Sequence, residues 1–324
     1  MRLLKALTVL LAVGGVIALI VAARATPRPL MRIAAIQPAM NFGYVRVQGT
    51  VMAFPSFSAR DRYLSFQIWD GSGELRVTAY RAVVDALLSG ERIPLPGDRV
   101  SVEGTLRIRD DEPSLILNAA DGLLIETPAA TSVQLSALGD VALGERVEVT
   151  AQVRRARPIG PALSVITLRH GDATADALIS RALPALATLS VPEAGDWVTV
   201  AGAVGEYRGN KQVLVTAVCP AAALDTPRWP IAELNSGLVG RWVGIEGQVT
   251  DLRPFRAGMR ADVTDDSGGS ITVVMFDEIW NGLPFSMTLD IADRLAVAGE
   301  VSEYRGRVEL IPQLPADVRL LAAP

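Results

Sequence analysis

Histidine and cysteine are almost missing from this sequence: His170 and Cys219 are the single representatives of their types in 324 residues. A zinc site draws on several Cys and His ligands and a disulfide needs two thiols, so neither can be assembled within one chain. Cys219, in the strand-like stretch 213–219, reads as a small buried hydrophobe. There is one histidine, no Cys/His pairing and no glycine-rich phosphate loop. No catalytic residue, metal or cofactor is therefore expected, and the chain reads as a non-enzyme. The acidic runs Asp110, Asp111, Glu112 and Asp265, Asp266 fall in turns and read as solvated caps. Basic excess is missing too. The net charge is −4: residues 1–29 carry +4, and residues 30–127, 128–226 and 227–324 carry −2, −1 and −5. Phosphate-driven affinity normally shows as a basic surface, so any nucleic-acid binding is expected to be weak and salt-sensitive.

Half of the residues are hydrophobic, part of them in one stretch. Ala6 to Ala23 is an eighteen-residue run without a charge, which at about 1.5 Å per residue nearly crosses a hydrocarbon core of roughly 30 Å. It exceeds the usual apolar core of a cleaved signal peptide, although Ala23-Arg24-Ala25 offers a cleavage site. Residues 1–29 are accordingly expected to be a single-pass membrane anchor and linker, with the bulk of the chain outside the cytoplasm.

Beyond Pro29 the chain repeats. Tyr44–Val51 (YVRVQGTV), Arg146–Val153 (RVEVTAQV) and Trp242–Val249 (WVGIEGQV) match, each with an apolar residue (Ile36, Leu138, Leu234) fifteen positions before the final valine. A second anchor, Val-x-Gly, recurs with its glycines at 104, 202 and 299, so the period is 98 and then 97 residues. Copies two and three share Glu-Tyr-Arg-Gly at 206–209 and 303–306, where the first has Ile108-Arg-Asp-Asp111. Two anchors with one period identify tandem domains, 30–127, 128–226 and 227–324.

Within a copy, apolar and polar residues alternate with period two between Gly, Pro and Asp turns, which is the strand signature. In the first copy the strands read as 44–52, 63–69, 74–81, 99–108 and 114–117 with an extension to 126. A short helical piece is expected over 82–89. Five strands with a connection between the third and fourth is the layout of a small closed barrel. Mid-strand glycines suit its bends and close backbone approaches. The expected fold is thus all-β: three tandem five-stranded barrels after one transmembrane helix.

The runs LSFQIWDGSGELRVTAY with VSVEGTL, and ADVTDDSGGSITVVMF with LAVAGEVSEYRG, resemble the OB-fold nucleic-acid-binding domain of the tRNA-anticodon-binding type. The resemblance covers most of copies one and three. In copy two Arg169-His-Gly-Asp172 replaces the Asp-x-Ser-Gly turn. It implies a binding surface on strands two and three and in the loops between strands one and two and strands four and five.

Alternation places Leu64, Phe66, Ile68, Leu75, Val77 and Ala79 inside, and Tyr63, Gln67, Trp69, Arg76, Thr78 and Tyr80 outside. Of these, Tyr63, Trp69, Arg76 and Tyr80 are candidate ligand residues, because exposed rings stack bases and arginine forks onto phosphate. The predicted loops after strand one add Arg60 and Arg62, Arg157, and Arg253, Phe255 and Arg256. Those after strand four add Tyr207 and Arg208, and Tyr304 and Arg305. In copy two the outward positions Ser164, Ile166 and Leu168 suit packing between domains. The leading expectation is a membrane-anchored binder of single-stranded nucleic acid. The alternatives are an envelope structural or protein-interaction array, with a protein partner, and a haem-chaperone-like barrel. His170 prompts the last, although Thr174 stands where that family has tyrosine.

Overall fold

The computed structural model describes residues 13–16, 30–224 and 226–321. Among them no helix is long and apolar enough to cross a membrane. This corrects the expected single-pass anchor and the extracytoplasmic placement built on it. A span needs on the order of 20 helical apolar residues, and of residues 6–23 only 13–16 are described, as an exposed helical segment.

The first sheet contains β1 (Leu30–Met31), β2 (Tyr44–Val51), β3 (Ser56–Ser58), β4 (Tyr63–Trp69), β5 (Glu74–Tyr80), β6 (Arg99–Arg109), β7 (Glu112–Leu117) and β8 (Leu123–Glu126). The second contains β9 (Thr131–Ser132), β10 (Arg146–Gly160), β11 (Leu163–His170), β12 (Ala173–Ser180), β13 (Trp197–Tyr207) and β14 (Asn210–Pro220). The third contains β15 (Trp242–Phe255), β16 (Gly258–Thr264), β17 (Ser270–Phe276), β18 (Arg294–Tyr304), β19 (Arg307–Ile311) and β20 (Val318–Leu321). One compact unit, Met1–Val51, Phe57–Pro94 and Asp98–Glu126, carries nearly all of the first sheet; the other, Thr127–Pro324 with Met52–Ser56 and Leu95–Gly97, carries the second and third.

All three sheets have one topology. In the first, β2, β4, β5, β7 and β6 are neighbours in that order and β2 pairs with β6 to close the ring. The same order closes the others through β10–β11 and β15–β18. The third and fifth barrel strands run parallel (β5–β7, β12–β14, β17–β19), while their other neighbours are antiparallel. Each barrel is an OB-fold. The entry to each copy repeats as well: Leu30 pairs with Arg46, Thr131 with Val147 and Arg228 with Gly244, all parallel.

The six residues assigned inward in copy one, Leu64, Phe66, Ile68, Leu75, Val77 and Ala79, are all buried. The helix Ala82–Ser89 adds Val84 and Leu87 to that core, each contributing about 1.5–3 kcal/mol by its burial. At the Val-x-Gly anchor, a Cβ on Gly104 or Gly202 would stand 2.3 or 2.1 Å from the carbonyl oxygen of Ile116 or Leu214. Only glycine lets the two strands approach there.

Four details differ from the sequence reading. The extension of strand five is a separate strand, β8, because a turn at Ala120–Gly122 moves the chain onto the other half of β6, Arg99–Val102. The predicted loops after strand one in copies two and three are instead the ends of long strands, β10 and β15, that form hairpins with β11 and β16. Ile166 and Leu168 point inward and belong to the second core; with Val165 and Ile166 both apolar, alternation alone does not set the phase. Cys219 is exposed rather than buried.

The Asp-x-Ser-Gly turn acts as a clamp. Asp70 accepts from the N–H groups of Ile33, Ser72 and Gly73 and from the Ser72 hydroxyl, and Ser72 Oγ accepts from Ala34 N–H. Asp265 and Ser267 repeat this toward Ile231 and Ala232. Burial raises the pKa of both carboxyls, but these hydrogen bonds together outweigh it and hold them below the usual aspartate value. In copy two the acid of this turn stands at its far end, and Asp172 accepts from Arg241 and from Trp242 N–H of the third barrel.

That contact belongs to a join between barrels two and three. Arg154 makes a bidentate pair with Asp317, at 2.7 and 2.8 Å, with both side chains buried. Gln313 and Leu314 N–H groups complete the carboxylate. The guanidiniums of Arg154 and Arg169 both lie over the Trp242 indole, 4.8 and 4.5 Å from its centroid.

Candidate functional site

The outward side chains of β4 and β5, together with the β6–β7 hairpin, enclose a groove of about 1040 Å³ in the first barrel. Tyr63 and Tyr80 are cross-strand partners in its floor, with ring centroids 5.4 Å apart and planes tilted by 52°. Arg76, opposite Gln67 in the register and four residues along from the tyrosine pair, lines the same groove. Arg107 and Arg109 project from β6, and Glu74, Asp110 and Glu112 add acceptors. Tyr80, 47% exposed, and half-buried Tyr63 give one wall for stacking planar groups, and the arginines of the same groove give several forks for anions.

The structure divides the predicted residues of copy one. Tyr63, Arg76 and Tyr80 share the groove. Trp69, 43% exposed at the far end of β4, lines a different cleft of about 800 Å³ with Arg46, Arg99 and Leu124. Arg60 is exposed outside the groove, and Arg62 is paired with Asp85. Thr78, expected outside, is buried and donates to Leu115 C=O at 3.5 Å.

Arg107 and Arg109 are groove residues that the sequence reading passed over. Inward Leu106 is the signal that sets them outward on strand four. The turn itself is conserved in geometry across the chain: Asp110 and Asp111, Arg208 and Gly209, and Arg305 and Gly306 all have positive φ, between 51° and 81°. This is the two-residue hairpin turn that matches strand twist, and Asp tolerates it after Gly.

In the second barrel Tyr207 and Arg208 line a cleft of about 830 Å³ with Lys211, and Arg208 stacks on Tyr207 at 5.2 Å. Arg157 is exposed on β10, away from that cleft. In the third barrel Phe255 packs edge-on to Phe276 at 6.0 Å. Arg260 lies over Phe255 and Tyr304, at 4.9 and 5.9 Å, and Arg305 over Tyr304 at 5.2 Å. The third barrel's rings thus carry stacked arginines of their own chain, while Tyr304 and Phe276 stay 48% and 44% exposed. Arg253 pairs with Asp251 and Asp262, and Arg256 is exposed in the turn. Among the described residues no group of three or more His, Cys, Asp or Glu could hold a metal ion.

No protein-family model matches the chain, and no curated protein matches it. Solved structures do. The Stn1–Ten1 complex of S. pombe is 24% identical over 26% of this chain and 60% of the matched chain, with a TM-score of 0.22. The match therefore spans less than two thirds of that chain. A replication protein A heterotrimer bound to single-stranded DNA is 8% identical over 90% of this chain and 96% of its own, with a TM-score of 0.30. An OBody bound to hen egg-white lysozyme is 22% identical over 31% of this chain and 97% of its own, with a TM-score of 0.25.

Proposed function

We propose that the chain is a non-enzymatic binding protein whose first barrel takes single-stranded nucleic acid along the Tyr63–Tyr80 groove. The observation that carries this reading is the meeting of a cross-strand tyrosine pair with Arg76, Arg107 and Arg109 in one groove on the OB-fold's ligand face. Bases stack on Tyr63 and Tyr80, and the arginines take phosphates. A duplex does not offer its base faces, so the groove selects single strands. The Asp-x-Ser-Gly clamp of barrels one and three supports grouping them with the anticodon-binding type of OB domain. Barrel three, the most acidic of the three copies at −5, contributes less to the strand.

Fluorescence anisotropy of a labelled single-stranded oligonucleotide tests this. The expected result is saturable binding that weakens about 5- to 150-fold in Tyr80→Ala, the equivalent of one lost base stack. Binding that is absent at low salt, or indifferent to Tyr80→Ala, overturns the reading. A protein partner recognised through the same face is the second outcome to look for, and it is distinguished by the absence of oligonucleotide binding at low salt.

A further inference from the structure

A cleft of about 190 Å³ lies between the second and third barrels, inside one compact unit. This is far above the roughly 10–15 Å³ that admits one water. We propose that it is a binding site for a small tetrahedral oxyanion of the phosphate or sulfate class, with Arg169 as the principal ligand. This site is independent of the groove in barrel one.

The local charges carry the inference. Arg154 and Arg169 both stack on Trp242, which is 8% exposed, so two cations share one buried indole. Arg154 has Asp317 as a bidentate partner. The other acids at the join are engaged elsewhere: Asp172 by Arg241 and Trp242 N–H, Glu246 by Arg228 and Arg294, and Glu300 by Gln313. Among the described residues no carboxylate bonds Arg169, and its Nε is buried without a hydrogen-bond partner.

Burial, and then repulsion from Arg154, lower the Arg169 pKa; Glu300, Asp317 and Asp172 act the other way. An arginine nonetheless stays charged in a protein, so the positive field at the cleft persists. Stacking on Trp242 fixes the plane of the guanidinium and presents its N–H edge as a fork. An oxyanion accepting from Nε–H and one Nη–H satisfies the orphan donor and neutralises the second cation together. The small volume favours a compact anion over an acidic side chain carried on a peptide.

The test uses the full chain titrated with potassium phosphate against potassium chloride at matched ionic strength. Tryptophan fluorescence is the readout, because Trp197 and Trp242 both line the cleft. A saturable response is expected. It should weaken at least tenfold in Arg169→Met, which keeps an aliphatic stem against the indole but removes the charge and the fork. Arg169→Lys keeps the charge without the fork, and its midpoint should fall between the two. An absent response in the unaltered chain overturns the proposal, as does a midpoint unchanged in Arg169→Met. Should Arg169→Met fail to fold, an unchanged midpoint in Arg169→Lys overturns it equally. Repeating the titration with a saturating oligonucleotide separates the sources. Displacement of phosphate assigns the site to a strand phosphate, and an unchanged midpoint assigns it to a free oxyanion.

Discussion

Removing Asp317 should destabilise the unit that holds barrels two and three more than any exposed charge deletion. In the native chain the Asp317 side chain is 2% exposed and that of its partner Arg154 is 7%. Asp317→Ala removes two hydrogen bonds from the guanidinium and two from the Gln313 and Leu314 N–H groups. It also leaves Arg154 buried beside Arg169 with no bonded carboxylate. Breaking a buried pair from one side costs about 3–5 kcal/mol. At about 2–4 °C per kcal/mol for a unit of this size, Tm should fall by roughly 6–20 °C. The exposed pair Arg253–Asp251, with side chains 64% and 44% exposed, is the internal comparison: Asp251→Ala should cost about 0–1 kcal/mol. Urea unfolding followed by tryptophan fluorescence measures both. The paired apolar variant Arg154→Met/Asp317→Leu should recover most of the loss, since replacing both partners of a buried pair is often neutral. An Asp317→Ala cost no larger than that of Asp251→Ala would refute a desolvated join between these barrels.

Acid should unlock the two turn clamps. A carboxyl whose folded pKa is depressed stabilises the fold above its unfolded value of about 3.9 and loses that contribution as pH falls through the folded value. Stability between pH 5 and 2 should therefore decline less steeply in Asp70→Asn with Asp265→Asn than in the parent; equal slopes argue against the clamps. Gly202→Ala should cost about 2–3 kcal/mol or more, because its Cβ meets the Leu214 carbonyl at 2.1 Å. Gly209→Ala, at φ +81° with nothing within 4 Å, should cost only the left-handed backbone penalty of about 1–2 kcal/mol; denaturant midpoints rank the two. For the groove, three arginines on single-strand phosphates give a slope of log affinity against log salt of about −2, at −0.7 per contact. Arg107→Ala should reduce it by about 0.7, which titrations at several salt concentrations will show.

The repeat, the strands and the barrel cores follow from the sequence because local pattern specifies them. Period-two alternation sorts Leu64, Phe66 and Ile68 from Tyr63 and Gln67, and recurring glycines mark where strands touch. Where the pattern is ambiguous, only packing decides. Val165 and Ile166 are adjacent and both apolar, so the phase of β11 depends on which of them the second core accepts. The division of the candidate site is also tertiary. Trp69 and Tyr63 alternate onto the same face of β4, but the strand's twist and length carry Trp69 to a separate cleft, while β6 brings Arg107 and Arg109 to the tyrosines. The anchor read from hydropathy falls on residues 6–23, of which only 13–16 are described, and among the described residues no helix is long and apolar enough to cross a membrane. The join of barrels two and three was the least legible feature. Arg154, Arg169, Trp242 and Asp317 are spread over more than 160 positions, and no local pattern relates residues that meet only after two barrels have closed and packed.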